Sequence, residues 1–219
     1  MRAPPARTRE QTPLLLTGRD EDLILGLTGR FRLITPPLVV RLWDSSEAYV
    51  RRRLGKLEDA GLLTSARVLA APLLDLAEPL VRWGPGDPEP DFGRVSYGLK
   101  ARWAEPSRMT TVYLPTKRAV HLFGGAGGRF DYPLQATHDL HVTALYVKLQ
   151  ASDPEQATRW RGEETLRLSR KRGKICDALI VDAREKPSLA LEFGGSYRKD
   201  RVRAFHRVMN HRRLRYEIW

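Results

Sequence analysis

The sequence predicts an α+β fold in two parts: helices closed by a β-hairpin, then a domain of mixed strands and helices. Three observations carry that prediction. Residues 17–60 hold three short helix patterns, residues 124–128 form a glycine-rich break, and residues 175–183 and 188–194 read as two apolar strands. Each of those strands carries one carboxylate, Asp177 on the first and Glu192 on the second. At 219 residues the chain is long enough for one large domain or two small ones, each with its own core.

Residues 1–16 contain Pro and Arg and read as a flexible basic arm. Thr17 or Asp20 can cap a first helix with Leu23, Ile24 and Leu27 on one face, ending at Gly29. A second short helix fits residues 36–43, where proline is allowed in the first turn. The third begins at a serine cap, places Tyr49, Val50, Leu54 and Leu57 on its apolar side and stops at Gly61. Three short helices followed by a β-prone segment make the pattern of a winged helix-turn-helix, in which the third helix enters the DNA major groove. The run RRRLGKLEDAGLL, residues 51–63, resembles the end of the recognition helix in many bacterial winged-helix proteins. Ser45, Ser46, Tyr49, Arg51, Arg52, Arg53 and Lys56 are therefore candidate DNA contacts. Three consecutive arginines span most of a helical turn, so at least one faces away from DNA. Residues 66–83 look like the first wing strand, 84–91 like a loop and 95–99 like the return strand, with 110–123 resembling the element that closes such wings. No Gly-Lys-Ser/Thr follows Gly124-Gly-Ala-Gly-Gly128, so this is a joint rather than a phosphate loop. The expected organisation is a winged helix over 17–123, a linker over 124–136 and a second domain over 137–219.

The second domain opens with a capped amphipathic helix from Thr137. His138 and His141 share a face of it, but with no third ligand nearby they read as packing or edge residues rather than a metal site. Residues from Trp160 onward suggest a strand or turn, followed by Glu163, Glu164 and the basic run Arg170-Lys171-Arg172-Gly-Lys174. A basic helix over 197–209 and a final strand over 214–219 complete the pattern. The formal charge of +12 is uneven: residues 159–219 hold 17 Lys and Arg against 8 Asp and Glu. A basic face of this kind attracts polyanions, and neutralising phosphates makes affinity salt-dependent. Arg170, Lys171, Arg172, Lys174, Arg198, Arg201, Arg203 and Arg207 join the candidate DNA contacts, with double-stranded DNA as the expected partner. The single cysteine, Cys176, excludes an internal disulfide framework and a cysteine-rich zinc site. No apolar run approaches a membrane span of about 20 residues. The expected location is the bacterial cytoplasm, associated with the nucleoid.

If the strands around Asp177 and Glu192 form a hairpin turning near 184–186, the two acids fall opposite each other. Facing carboxylates repel unless a cation, a proton or an arginine lies between them. Magnesium suits such a site, and Glu163 or Glu164 offers a third oxygen. The order Trp160, Asp177-Ala-Leu-Ile-Val, Leu191-Glu-Phe-Gly, Tyr197 and a basic helix resembles the PD-(D/E)XK nuclease-like fold. Joined to the winged helix, the chain resembles the replication-relaxation family of plasmids and integrative elements. The resemblance implies acid–acid–lysine chemistry, in which metal activates water and the lysine steadies the charge. Cys176 stands where that pattern has a proline, and Gly194 stands where it has the lysine. Arg198 and Lys199 are the nearest substitutes, so an active site would use Asp177, Glu192, Glu163 and Lys199. The leading expectation is a DNA-binding protein of a mobile element or plasmid, acting in replication, transfer or transposition, with an inactive nuclease-like domain and no cofactor needed for binding. The alternatives are a magnesium-dependent endonuclease or nickase, and an adaptor that joins other proteins of a replication or transposition complex.

Overall fold

The computed structural model describes residues 14–125, 135–163, 165–166 and 176–219. The arm up to residue 13, most of the glycine-rich joint, Glu164 and the basic residues Arg170, Lys171, Arg172 and Lys174 lie outside the described residues. The described chain is a mixed α+β structure of eight helices, a two-stranded sheet and a five-stranded sheet.

Helix α1 (Gly18–Gly29) starts at a capping box: the Asp20 backbone N–H donates to Thr17 Oγ1, and the Thr17 backbone N–H donates to Asp20 Oδ2 at 2.6 Å. Two prolines begin α2 (Pro36–Trp43), where no helical N–H is needed, and Asp44 ends it with a left-handed φ of 46°. Ser46 caps α3 (Glu47–Asp59), accepting from the Tyr49 N–H. Leu23, Ile24 and Leu27 of α1, Leu38 and Val39 of α2, and Val50, Leu54 and Leu57 of α3 close one core. Each such side chain contributes about 1.5–3 kcal/mol when fully buried.

Asp20 and Arg53 clamp α1 to α3. Asp20 is fully buried, accepts from Arg53 Nε at 2.8 Å and is also bonded by Arg53 Nη2, whose second acceptor is the Leu15 carbonyl. Arg53 is therefore the arginine of the triplet that turns inward, and the expectation of a DNA contact there is corrected: its guanidinium is spent inside the fold. Burial raises the Asp20 carboxyl, but the bonds from Arg53 and Thr17 outweigh it and hold the group below its usual range.

Strand β1 (Leu63–Ala70) pairs antiparallel with β3 (Arg108–Pro115), from Leu63↔Pro115 to Ala70↔Arg108. An isolated bridge adds Ile34 to Tyr113 on the far side of β3. The expected wing strands at 66–83 and 95–99 are thus corrected: the return strand is β3, and residues 71–107 leave the pair. Within that excursion β2 (Val81–Trp83) joins the other sheet, and residues 95–99 lie in a helix, α4 (Phe92–Ala101). The apolar–polar alternation of Val95, Tyr97 and Leu99 mimics a strand, but the buried positions Phe92, Val95, Ser96 and Leu99 are spaced by three and one. Asp91 begins the helix, its Oδ1 accepting from the Gly93 and Arg94 N–H groups at 2.9 and 3.0 Å. After β3 comes the short α5 (Lys117–Phe123).

The second half runs α6 (Ala136–Ser152), α7 (Pro154–Thr158), β4 (Trp160–Gly162), β5 (Ala178–Val181), β6 (Pro187–Glu192), α8 (Lys199–His211) and β7 (Arg215–Ile218). The sheet order is β2-β7-β6-β5-β4. β4, β5 and β6 form an antiparallel meander, α8 then carries the chain back so that β7 lies parallel to β6, and β2 pairs antiparallel with β7. Strand side chains alternate between two cores. Ala178, Ile180, Leu191 and Phe193 join the core of α1–α3 and α6, whereas Leu179, Ala190, Tyr216 and Ile218 join Phe92, Leu99 and Val202 under α4 and α8.

The first core does not divide at residues 124–136. Trp160 Nε1 donates to the Arg30 carbonyl at 2.9 Å, and Thr143 Oγ1 donates to the Leu33 carbonyl at 2.7 Å. Gly162 is packed against the same turn, where an added Cβ would stand 2.2 Å from the Arg30 oxygen. Among the described residues no helix is long and apolar enough to cross a membrane.

Two stability measurements follow from these contacts. Gly162→Ala should lower the melting temperature with a cost of about 1–3 kcal/mol, the usual penalty of overpacking; an unchanged melt would show that the turn yields freely. Asp20→Asn should cost about 3–5 kcal/mol at neutral pH, because it leaves a buried guanidinium without its counter-charge. A carboxyl depressed by folding adds stability above its unfolded pKa of about 3.9 and loses it as pH falls through the lower folded value. The gap between wild type and Asp20→Asn in chemical denaturation should therefore close on acidification below about pH 4.

Candidate functional site

The β5–β6 hairpin brings the two acids together. The register Ala178↔Leu191 sets Asp177 opposite Glu192, and the Asp177 N–H donates to the Leu191 carbonyl at 3.1 Å. Its turn is closed by Asp182, whose Oδ1 accepts from the Arg184 and Lys186 N–H groups, with Glu185 in the left-handed region at φ 58°. Both acids are buried, at 3% and 4% exposure.

Buried carboxylates need donors, and among the described residues one oxygen of each acid meets them. Asp177 Oδ2 accepts from the Phe193 N–H at 2.8 Å and lies 3.1 Å from His138 Nε2. Glu192 Oε1 accepts from the Tyr197 hydroxyl at 2.6 Å, and that hydroxyl accepts from Arg201 Nη2 at 3.1 Å. The Arg201 guanidinium also covers the Tyr197 ring, 4.0 Å from its centroid. Burial, then the Glu192 carboxylate, push the Tyr197 hydroxyl well above its ordinary value, so it stays a donor.

A chain of polar contacts continues from Asp177. His138 Nδ1 lies 3.2 Å from Asp139 Oδ1, Arg32 Nη1 bridges to the same oxygen at 3.3 Å, and Arg32 Nη2 reaches Glu163 Oε2 at 2.9 Å. Arg32, His138, Asp139, Glu163 and Asp177 line one small cleft at the turn between α1 and α2. Glu163, expected as a third metal oxygen, is paired to Arg32. Among the described residues no three His, Cys, Asp or Glu side chains form a set able to hold a metal ion. The described donors therefore do not make a three-ligand magnesium site.

The missing lysine has a structural counterpart. A Cβ on Gly194 would stand 2.7 and 2.9 Å from the Leu99 methyls and 3.2 Å from Ile218. The place next to Glu192 where the motif has a lysine is filled by α4 and β7. The expected substitutes lie elsewhere: Arg198 and Lys199 are exposed at the start of α8. The described cation linked to Glu192 is Arg201, through Tyr197.

The other candidate contacts fall on two elements. On α3, Arg51, Arg52 and Lys56 are exposed; Arg51 pairs with Glu47 at 2.6 Å and Arg52 lies over the Tyr49 ring at 5.8 Å. Tyr49 itself packs on Trp43, and Ser45 accepts from Arg19 Nη1 at 2.8 Å. On α8, Arg207 is exposed, and Arg203 is half-buried over Phe92. α3 packs with α2 and β1, and α8 with α4 and β7, so the two basic sets sit on separate units.

Sequence reasoning missed Arg32, Asp139 and Arg102. Arg102 donates to the Gly194 carbonyl and lies 4.4 Å from the Phe193 ring centroid; burial lowers its guanidinium to about 10. Nothing in the sequence links it to Gly194. His141 is a packing residue, as expected: Nδ1–H donates to the Thr137 carbonyl at 2.6 Å, and Nε2 accepts from the Leu74 N–H at 3.1 Å. It stacks on Phe193, and burial lowers it to about 4. No protein-family model, curated protein or solved structure matches this chain.

His141 should titrate only near pH 4 in ring-carbon NMR spectra, against about 6.5 for a free histidine. Between those values the unfolded chain binds the extra proton, so this group removes stability as pH falls from 6.5 toward 4. Replacing His141 by Gln should flatten that part of the stability–pH curve; a histidine resonance assigned to His141 and titrating above pH 6 would contradict its buried neutral state.

Proposed function

We propose that this protein binds double-stranded DNA through a winged helix-turn-helix and a nuclease-like α/β module that grips DNA without cutting it. The order α1, Ile34 bridge, α2, α3, β1, β3 supports the winged helix. The order α6, β4, β5, β6, α8, β7, with a meander followed by a parallel return, supports the resemblance to the PD-(D/E)XK fold. The observation that carries the absence of cutting is the filled space at Gly194, beside two acids already held by Phe193, His138 and Tyr197. Exposed Arg51, Arg52 and Lys56 would meet the major groove, and Arg198, Arg201 and Arg207 would meet phosphates nearby. A role in replication, transfer or transposition of a mobile element or plasmid, with other proteins of that complex as partners, rests on the family resemblance.

Arg201 favours a second reading, a magnesium-dependent endonuclease or nickase, because it is a cation already linked to Glu192. One assay separates the two. Purified protein incubated with supercoiled and linear plasmid, with and without magnesium, should shift the DNA and leave it uncut. Cleavage that disappears in both Asp177→Ala and Glu192→Ala would establish the nuclease instead.

Binding should weaken steeply with salt. Replacing Arg201 or Arg207 by Ala should reduce the log–log salt slope by about 0.9 for each phosphate no longer neutralised. Arg52→Ala should change sequence preference rather than weaken all sites alike. Gly194→Lys should lower the melting temperature and restore no cleavage, because its side chain begins inside Leu99 and Ile218.

A further inference from the structure

Helix α4 carries none of the DNA-contact residues expected from the sequence. Phe92, Val95, Ser96 and Leu99 face the second core. Arg94, Tyr97 and Lys100 are exposed, and their three-residue spacing sets them along one side of the helix as cation, aromatic ring, cation. Tyr97 is 74% exposed, so its ring offers an open face to solvent. Among the described residues neither Arg94 nor Lys100 takes part in an ion pair, in contrast to Arg51, Arg82, Arg108, Arg159 and Arg161.

The stripe continues onto α8. Ser96 Oγ donates to the Tyr197 carbonyl at 2.8 Å, and Arg203 covers Phe92 at 5.5 Å, so α4 is seated against the start of α8. The Asp91 carboxyl is lowered first by the Arg94 and Gly93 N–H groups that it caps, then by the charges of Lys199 and Arg94. Arg94 and Lys199 therefore stand at the same end of the stripe. Arg198 and Lys199 are exposed beside it and likewise form no ion pair among the described residues.

We infer that the face made by Arg94, Tyr97 and Lys100, continued by Arg198 and Lys199, binds single-stranded DNA. The cations would track the backbone while Tyr97 stacks on a base. Arg94 and Lys100 are separated by roughly 9 Å along the helix axis, which leaves the ring between two phosphate contacts. Duplex DNA has its bases stacked on one another and would use only the charges, whereas a single strand uses both charges and ring. The inference rests on the DNA-binding reading and extends it to a second form of DNA.

The test uses the full chain and a fluorescein-labelled oligothymidylate, with affinity read by anisotropy. Tyr97→Ala should weaken binding roughly 5- to 150-fold, and Tyr97→Phe should bind as wild type, because stacking needs the ring and not the hydroxyl. Replacing Arg94 and Lys100 together by Ala should lower the salt slope by about 0.7 for each phosphate no longer neutralised. An unchanged melting temperature in the Tyr97 variants would confirm that the exposed side chain acts outside the fold. The inference fails if Tyr97→Ala binds as wild type or if Tyr97→Phe falls as far as Tyr97→Ala. Duplex binding that depends on Arg52 while the oligothymidylate is ignored would sink this inference alone. Binding to neither polymer would sink the DNA-binding reading with it.

Discussion

The stretch between α1 and α2 is the joint on which both halves of the molecule depend. Its carbonyls at Arg30 and Leu33 would be costly to bury unpaired, and each is met by a donor from the second half, Trp160 and Thr143. Its side chains reach the same way: Phe31 packs on Tyr146 with ring centroids 5.2 Å apart, and Arg32 bridges Asp139 and Glu163. Near its end, Ile34 bridges to Tyr113 of β3. Five consecutive residues thus tie α1–α3 to α6, to β4 and to the edge of the acidic site.

The acid pair is best understood as an electrostatic problem that the fold answers from three directions. α6 brings His138 to Asp177, the backbone after β6 brings the Phe193 N–H, and the loop before α8 brings Tyr197 to Glu192. Arg201 reaches Glu192 through the Tyr197 hydroxyl, and apolar side chains of α4 and β7 pack against Gly194. The excursion of residues 71–107 supplies that packing. It adds β2 to the sheet and lays α4 over its end, so Leu99 occupies the volume above Gly194. A gain in core packing and a loss of room for a long cation have the same cause.

The basic charge divides accordingly. One set stands on α3, pre-ordered by the Ser46 cap and by the inward turn of Arg53. Another stands on α8, and α4 sits beside it. The strands of the five-stranded sheet contribute to both cores and so join the two surfaces, so a contact made by one would raise the effective concentration of the other, and each could be weak alone.

Local chemistry made much of this legible from the sequence alone. Caps at Thr17 and Ser46, prolines at the start of α2 and the stop at Gly61 act within a few residues, so three helices could be placed from spacing. The hairpin is equally local: strand period and turn position put Asp177 opposite Glu192, and the same logic placed the final helix and strand. Tertiary structure decided what depends on partners distant in sequence. Nothing near Arg53 announces that Asp20 will hold it, and nothing near Gly194 announces Leu99. The short helix α4 was hidden because its two glycines weaken helix propensity and its apolar residues fall at alternate positions; packing against α8 selects the helix. The sequence determined that two carboxylates would face each other in a basic region, because strand geometry is local. What surrounds them was decided by tertiary structure, because a charge takes its meaning from neighbours that only the folded chain brings close.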